Sequence, residues 1–188
     1  ELMQKIALEM NYSETTFILS DEMSDGGYNV RIFTPVEEVP FAGHPTLGTA
    51  YIIQQKLVGQ PIDTVTLNLK IGQIPVKISY DNATPDVLWM HQRPPDFGET
   101  FAAEALAGVL SIDASDIDTR FPIQAVSTGL PFIIVPLKSL AAVKRSHVNL
   151  DHYMALIENS RAKAIHLFCP EAYNDTNDLN ARMFGPYY

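Results

Sequence analysis

The sequence predicts an α+β protein made of two similar units, each an antiparallel sheet rolled around helices. Three observations lead there. Short strand patterns are interleaved with helical ones along the whole chain. The segment Asn29-Val30-Arg31-Ile32-Phe33-Thr34-Pro35 returns as Asn180-Ala181-Arg182-Met183-Phe184-Gly185-Pro186, both reading N-x-R-[IM]-F-x-P. The stretches ahead of the two copies also agree. Ala7 to Asn11 ends a helix before the apolar Thr15-Thr16-Phe17-Ile18-Leu19, and Ala155 to Asn159 ends one before Ala164-Ile165-His166-Leu167-Phe168. Helix, strand and motif strand recurring at a long offset indicate a duplicated unit.

Taken in order, Leu2, Met3, Ile6, Ala7 and Met10 fall at helical spacing and give an amphipathic helix over 1–11. Thr15 to Ser20 and Tyr28 to Thr34 are strands joined by the acidic, Gly-rich turn Asp21 to Gly27. Pro45 suits a first helical residue, with His44 in the cap region, and Leu47 to Leu57 continues a helix that Gly59 ends. Thr64 to Lys70, Ile74 to Tyr80 and Val87 to His91 are strands, and Asp96 to Leu110 holds a helix after the breaker Arg93-Pro94-Pro95. Ile123 to Ser127 and Phe132 to Leu137 are strands around the turn Thr128-Gly129-Leu130-Pro131. Helices over Ser139 to Val143 and Asn149 to Ser160 then precede strands Ala164 to Phe168 and Asn180 to Phe184.

A boundary is expected near Ser115 to Phe121, giving an N-terminal domain over 1–118 and a second, homologous one over 119–188. The first motif copy runs on into Pro40-Phe41-Ala42-Gly43-His44-Pro45-Thr46-Leu47-Gly48-Thr49-Ala50, a loop that opens a helix, whereas the second stops two residues later at Tyr188. Glu1 is mid-helix in character, with neither a start methionine nor a signal pattern. Both ends are therefore expected to be cuts, with the second domain incomplete.

Composition narrows the function. With 188 residues, 46% hydrophobic and 19% charged, the chain is an ordinary folded globule. A net charge of −9 argues against nucleic acid and against an anionic membrane surface, since there is no basic stripe to meet phosphates. The single cysteine, Cys169, excludes an internal disulfide framework and points to a reducing, cytoplasmic setting. No apolar run approaches the roughly 18 residues of a membrane span.

Two places can carry chemistry. Gly43-His44-Pro45 stands at a helix start, where free N–H groups and a positive dipole end can meet an anion and His44 can exchange a proton near neutral pH. Alone, the tripeptide fits a turn glycine and a capping histidine better than a site. Glu14 lies between a finished helix and a coming strand, where a partly desolvated carboxyl serves as general base or acid. Most glutamates at such a junction are capping or surface residues. His91, His147, His152 and His166 share no metal-ligand spacing, and Cys169, at a strand end before Pro170, reads as a small packing or edge residue.

Considered together, Met3-Gln4-x-Ile6-Ala7-x-Glu9-Met10-Asn11-x-Ser13-Glu14-Thr15-Thr16-Phe17, Arg31-Ile32-Phe33-Thr34-Pro35 and the Pro40 to Ala50 loop resemble the PhzF family of phenazine-biosynthesis-like proteins. Ser127-Thr128-Gly129-Leu130-Pro131 and Arg182-Met183-Phe184 extend the resemblance over essentially the whole chain. It implies a diaminopimelate-epimerase-like fold, two similar domains each rolled about a central helix, with the active site in the cleft between them. It implies an isomerase that moves a proton on a small anionic, carboxylated metabolite without any cofactor or metal. Glu14 would be the base and His44 its helper, with an aspartate of the second domain assisting. Ser13, Gly43 and His44 would bind substrate, and the protein would be a homodimer.

The chain departs from the family pattern at both ends. The family's opening strand, with its D-A-F and G-N-P segments, does not precede the first helix, so the first domain is expected to lack that strand. The E-D-P-A-T-G-S-type loop that carries the aspartate does not follow Phe184. The segment alone is therefore expected to be inactive. Relatives of this fold that use a cysteine pair have one where Glu14 stands, which turns this chain away from two-thiol chemistry. The rival reading is a non-catalytic small-molecule binding or assembly module that keeps the fold.

Overall fold

A computed structural model describes residues 1–187, and the chain divides into two compact units, Glu1–Pro94 and Pro95–Tyr187. Tyr188, the last residue of the second expected domain, lies outside the described residues. The division falls earlier than the expected 118/119 because the segment from Asp96 to Leu110, which holds the expected helix, opens with a strand. Asp96–Thr100 joins the second sheet, and helix begins only at Ala103. A polar, Gly98-bearing segment carries little strand signal of its own, and pairing with a neighbour decides it.

The first unit begins with helix α1 (Leu2–Met10), ended by Asn11 in the left-handed conformation at φ 51°. Strands β1 (Thr15–Ile18) and β2 (Tyr28–Phe33) pair antiparallel, Thr15 opposite Phe33 and Ile18 opposite Val30. The short β3 (Glu38–Val39) folds back on β2. Helix α2 (Gly43–Ile53) runs into a π-helical turn, Gln54–Val58, that Gly59 closes at φ 69°. Strands β4 (Thr64–Leu69), β5 (Gly72–Asp81) and β6 (Thr84–Met90) complete a sheet of order β1-β2-β4-β5-β6. All its pairings are antiparallel except β2 with β4, where Tyr28 stands opposite Leu67.

Alternation explains the core of this unit. Val65, Leu67 and Leu69 of β4 and Ile74, Val76 and Ile78 of β5 turn the same way and are buried, with Leu67 opposite Ile74. Thr46, Thr49, Ala50 and Ile53 form the buried stripe of α2. That helix packs against β1, β4 and β6, strands at both edges and the middle of the sheet, so the sheet curls around it. Gln4 of α1 donates to the carbonyls of Thr34 and Pro35, pinning the end of the motif strand.

In the second unit, β7 (Asp96–Thr100) and helix α3 (Ala103–Leu110) lead through the 3-10 turn Ala114–Asp116 to β8 (Gln124–Ser127) and β9 (Pro131–Pro136). Helices α4 (Leu140–Arg145) and α5 (Leu150–Ile157) precede β10 (Ala164–Cys169) and β11 (Asn180–Phe184). Ser139 and Asn149 cap the two helices, accepting from the N–H groups of Ala142 and His152. The sheet runs β11-β10-β9-β8-β7, with β9 and β10 parallel. Leu106, Leu110, Val143, Tyr153 and Ile157 from the helices meet Ile133, Val135, Ile165 and Leu167 from the strands in one core. The motif repeat is structural: β10 and β11 pair as β1 and β2 do, with Ile165 opposite Phe184. Arg31 lies over the Phe33 ring at 5.0 Å, and Arg182 over Phe184 at 4.5 Å.

Candidate active site

The first unit brings together the two residues that the sequence singled out. Glu14 emerges just ahead of β1, and Thr16 and Ile18 follow it at alternate positions on the same strand face. Opposite them, α2 presents His44, Gly48 and Ile52, each one helical turn after the last, with Pro45 and Thr49 beside them. These eight residues line a groove of about 410 Å³. It is graded along its length, with a carboxylate and an imidazole at one end, two hydroxyls in the middle and two isoleucines at the other.

Glu14 Oε2 stands 3.2 Å from His44 Nε2. The two differ in exposure, 21% for the carboxylate side chain and 80% for the imidazole. The same Oε2 is buried and has no aligned hydrogen bond, so ion-pair distance is reached without hydrogen-bond geometry. A carboxylate oxygen withdrawn from water and left short of donors can still accept a proton.

The helix start behind His44 differs from the expected one. Ala42, in extended conformation, is the N-cap, so Gly43 and His44 are the first two helical residues and Pro45 is the third. Proline is tolerated there because first-turn N–H groups have no intrahelical partner. No side chain caps this end, and the first backbone bond comes from Thr46 N–H to the Ala42 carbonyl at 3.3 Å. The N–H groups of Gly43 and His44 thus point out of the helix without a protein partner among the described residues. A Cβ on Gly43 would come to 3.8 Å from Met90 Cε, ordinary contact, so the glycine is not required by crowding.

Ser13 is exposed beside Glu14 and does not line the groove. Thr16, Ile18, Gly48, Thr49 and Ile52 were not singled out, although the two-residue strand repeat from Glu14 and the four-residue helix repeat from His44 lead to most of them. Cys169 is fully buried in the second core, with its Sγ 3.1 Å from the Glu171 carbonyl. His166 packs edge-on against Phe132, and burial lowers its pKa. Among the described residues no three His, Cys, Asp or Glu gather as a metal site, and no helix is long and apolar enough to cross a membrane.

A sheet curled about a helix, with a glutamate and a histidine meeting at the helix start, belongs with α+β proteins of the epimerase-like fold. Residues 1–188 match the phenazine biosynthesis-like proteins, PhzC-PhzF, and the chain belongs to that family. It is 33% identical over 187 residues to the uncharacterized isomerase YfhB of Bacillus subtilis, covering 99% of this chain and 63% of that protein. It is 34% identical over 188 residues to the trans-2,3-dihydro-3-hydroxyanthranilate isomerase of Pseudomonas fluorescens, covering 99% and 61%. The PhzF-family protein of Bacillus anthracis superposes with a TM-score of 0.84 at 29% identity, over 100% of this chain and 62% of that one. A probable proline racemase from Agrobacterium radiobacter, at 10% identity and a TM-score of 0.59, over 90% of this chain and 53% of that one, shares the fold alone. The chain spans under two thirds of the length of these curated relatives.

Proposed function

We propose that this chain carries the Glu14–His44 half of the active site of a PhzF-type isomerase acting on a small carboxylated metabolite. Glu14 accepts a proton from one carbon of the substrate and returns it to another, so the composition of the substrate is unchanged and no cofactor is called on. His44, within reach of the same carboxylate, helps by exchanging or steadying that proton. Gly43 and His44 offer their outward N–H groups to the substrate carboxylate at the positive end of α2, and Ser13 stands next to the base. The observation that carries the reading is the buried, unsatisfied Glu14 Oε2 at 3.2 Å from His44 Nε2.

The isomerase names of the relatives support this class of reaction. The dihydro-hydroxyanthranilate named for one of them fits a carboxylated carbon acid as the substrate type. In the same reading the natural protein is a cytoplasmic homodimer. Residues 1–188 expressed alone have no isomerase activity, in keeping with their span of 61 to 63% of the relatives.

Glu14→Gln in the natural protein tests the assignment. It keeps shape and removes proton transfer, so kcat should fall about 10²–10⁴-fold. A variant that turns over substrate at the wild-type rate would refute the role of Glu14. Unchanged ligand binding by a natural protein with no turnover at all would favour the binding module.

A further inference from the structure

Glu14 and His44 stand on separate elements, and their contact is not an aligned hydrogen bond, so something else must hold them 3.2 Å apart. Among the described residues, one side-chain hydrogen bond joins β1 to α2, between Thr16 and Thr49. Thr49 Oγ1 lies 2.9 Å from Thr16 Oγ1 and 2.7 Å from the Pro45 carbonyl oxygen. A hydroxyl has one proton, and a carbonyl can only accept. Two oxygens at 2.7 Å need that proton between them, so Thr49 donates to Pro45 and Thr16 donates to Thr49. The bonds run one way, from strand to helix, and both protons are used. Neither hydroxyl is left to donate to a ligand. The pair is therefore suited to holding elements together rather than to binding substrate.

Its position matters for the same reason. Thr16 is one strand repeat from Glu14, about 7 Å along β1. Thr49 bonds back to the turn that begins beside His44, about 6 Å along α2. Thr49 is 4% exposed, so water does not compete for its bonds. A slide of β1 against α2 would be passed directly to the separation of Glu14 and His44, and misplacement by 1 Å can cost about 100-fold in rate.

We infer that Thr16 and Thr49 are positioning residues: their hydroxyl bond sets the register of β1 on α2 and with it the separation of Glu14 from His44. This rests on the proposed roles of those two residues, and the test separates the claims. Thr16→Val and Thr49→Val remove a hydroxyl and keep the shape, while Thr16→Ser keeps the hydroxyl. In the natural protein both Val variants should lower kcat about 10- to 100-fold with KM nearly unchanged, and Thr16→Ser should stay close to wild type. The second readout is the ring NMR of His44 in the present chain. Glu14→Gln should shift those ring signals in the wild-type background and leave them almost unmoved in the Thr16→Val background. Ile53→Val, which weakens the helix core without touching the bond, controls for lost stability and should leave both readouts as they were. If Thr49→Val fails to fold, Thr16→Val at its half-buried position decides alone. Val variants with wild-type kcat and an intact His44 response would overturn the inference. A fully active Glu14→Gln enzyme would overturn the proposed function instead, and the ring signals would still report on positioning.

Discussion

Glu38 joins three parts of the first sheet through one carboxylate. It accepts from Arg31 Nε at 2.9 Å and Arg31 Nη2 at 2.6 Å, and stands 2.8 Å from Lys70 Nζ just past β4. Its side chain is 13% exposed. The Arg31 guanidinium, and after it Lys70, outweigh burial and hold the carboxyl at about 2. A carboxylate depressed in the folded state adds stability that is full above its unfolded value, about 4.3, and is lost as pH falls toward 2. Glu38→Gln should therefore destabilise the protein by about 1–3 kcal/mol at pH 7. In thermal melts that difference should shrink between pH 5 and 2, and a gap that stays constant over this range would refute the linkage. The motif arginine was legible in the sequence, but its partner was not. Arg182, its repeat counterpart, serves the carbonyls of Val143 and Ser146 instead, so only the stacking over phenylalanine belongs to the motif itself.

Among the elements, two glycines make opposite demands. A Cβ on Gly27 would sit 2.6 Å from Asn68 Oδ1 and 2.9 Å from the Thr66 carbonyl, because the chain entering β2 runs close against β4. Gly27→Ala should force the two apart and cost about 1–3 kcal/mol. Gly48, within α2 on the groove, meets nothing within 4 Å. Gly48→Ala should raise stability by about 0.5–1 kcal/mol through helix propensity. Denaturant titrations of both variants check the pair, and a Gly48→Ala variant less stable than wild type would mean that the groove is filled. Strands such as β4 and β5 were readable because their apolar residues alternate. The sequence places the start of α2 two residues late, because Pro45 looks like an N1 signal while Ala42 gives no capping sign. β7 is not legible as a strand in the sequence because its residues are all exposed and no apolar alternation marks them.

Across the whole molecule, each unit has its own core. Leu67→Ala in the first and Ile133→Ala in the second remove fully buried side chains and should each cost about 2–5 kcal/mol. Hydrogen exchange should show the loss among the amides of the sheet that carries the substitution. Protection unchanged in that sheet would contradict the core assignment. The duplication was legible because N-x-R-[IM]-F-x-P survives in both copies. The division at Pro94 was not, because it depends on β7 pairing with β8 rather than on any break in composition. The groove was legible at its polar end alone, where glutamate and histidine carry an intrinsic chemical signal. Threonine and isoleucine acquire a role only from the neighbours that folding gives them.

The parallel pairing of β2 with β4 has a kinetic consequence. Antiparallel neighbours can zip from a turn, but parallel ones must wait for the whole connection between them to be laid down. In the first unit that connection contains β3, α2 and the π-helical turn, so His44 lies inside the segment that must be laid down before β2 and β4 can pair. Glu14 and β1 can form early with β2, since their ladder is local. During refolding the carboxylate should thus be in place before its imidazole, and the Glu14–His44 contact should appear only in the slowest phase, together with the protection of β4.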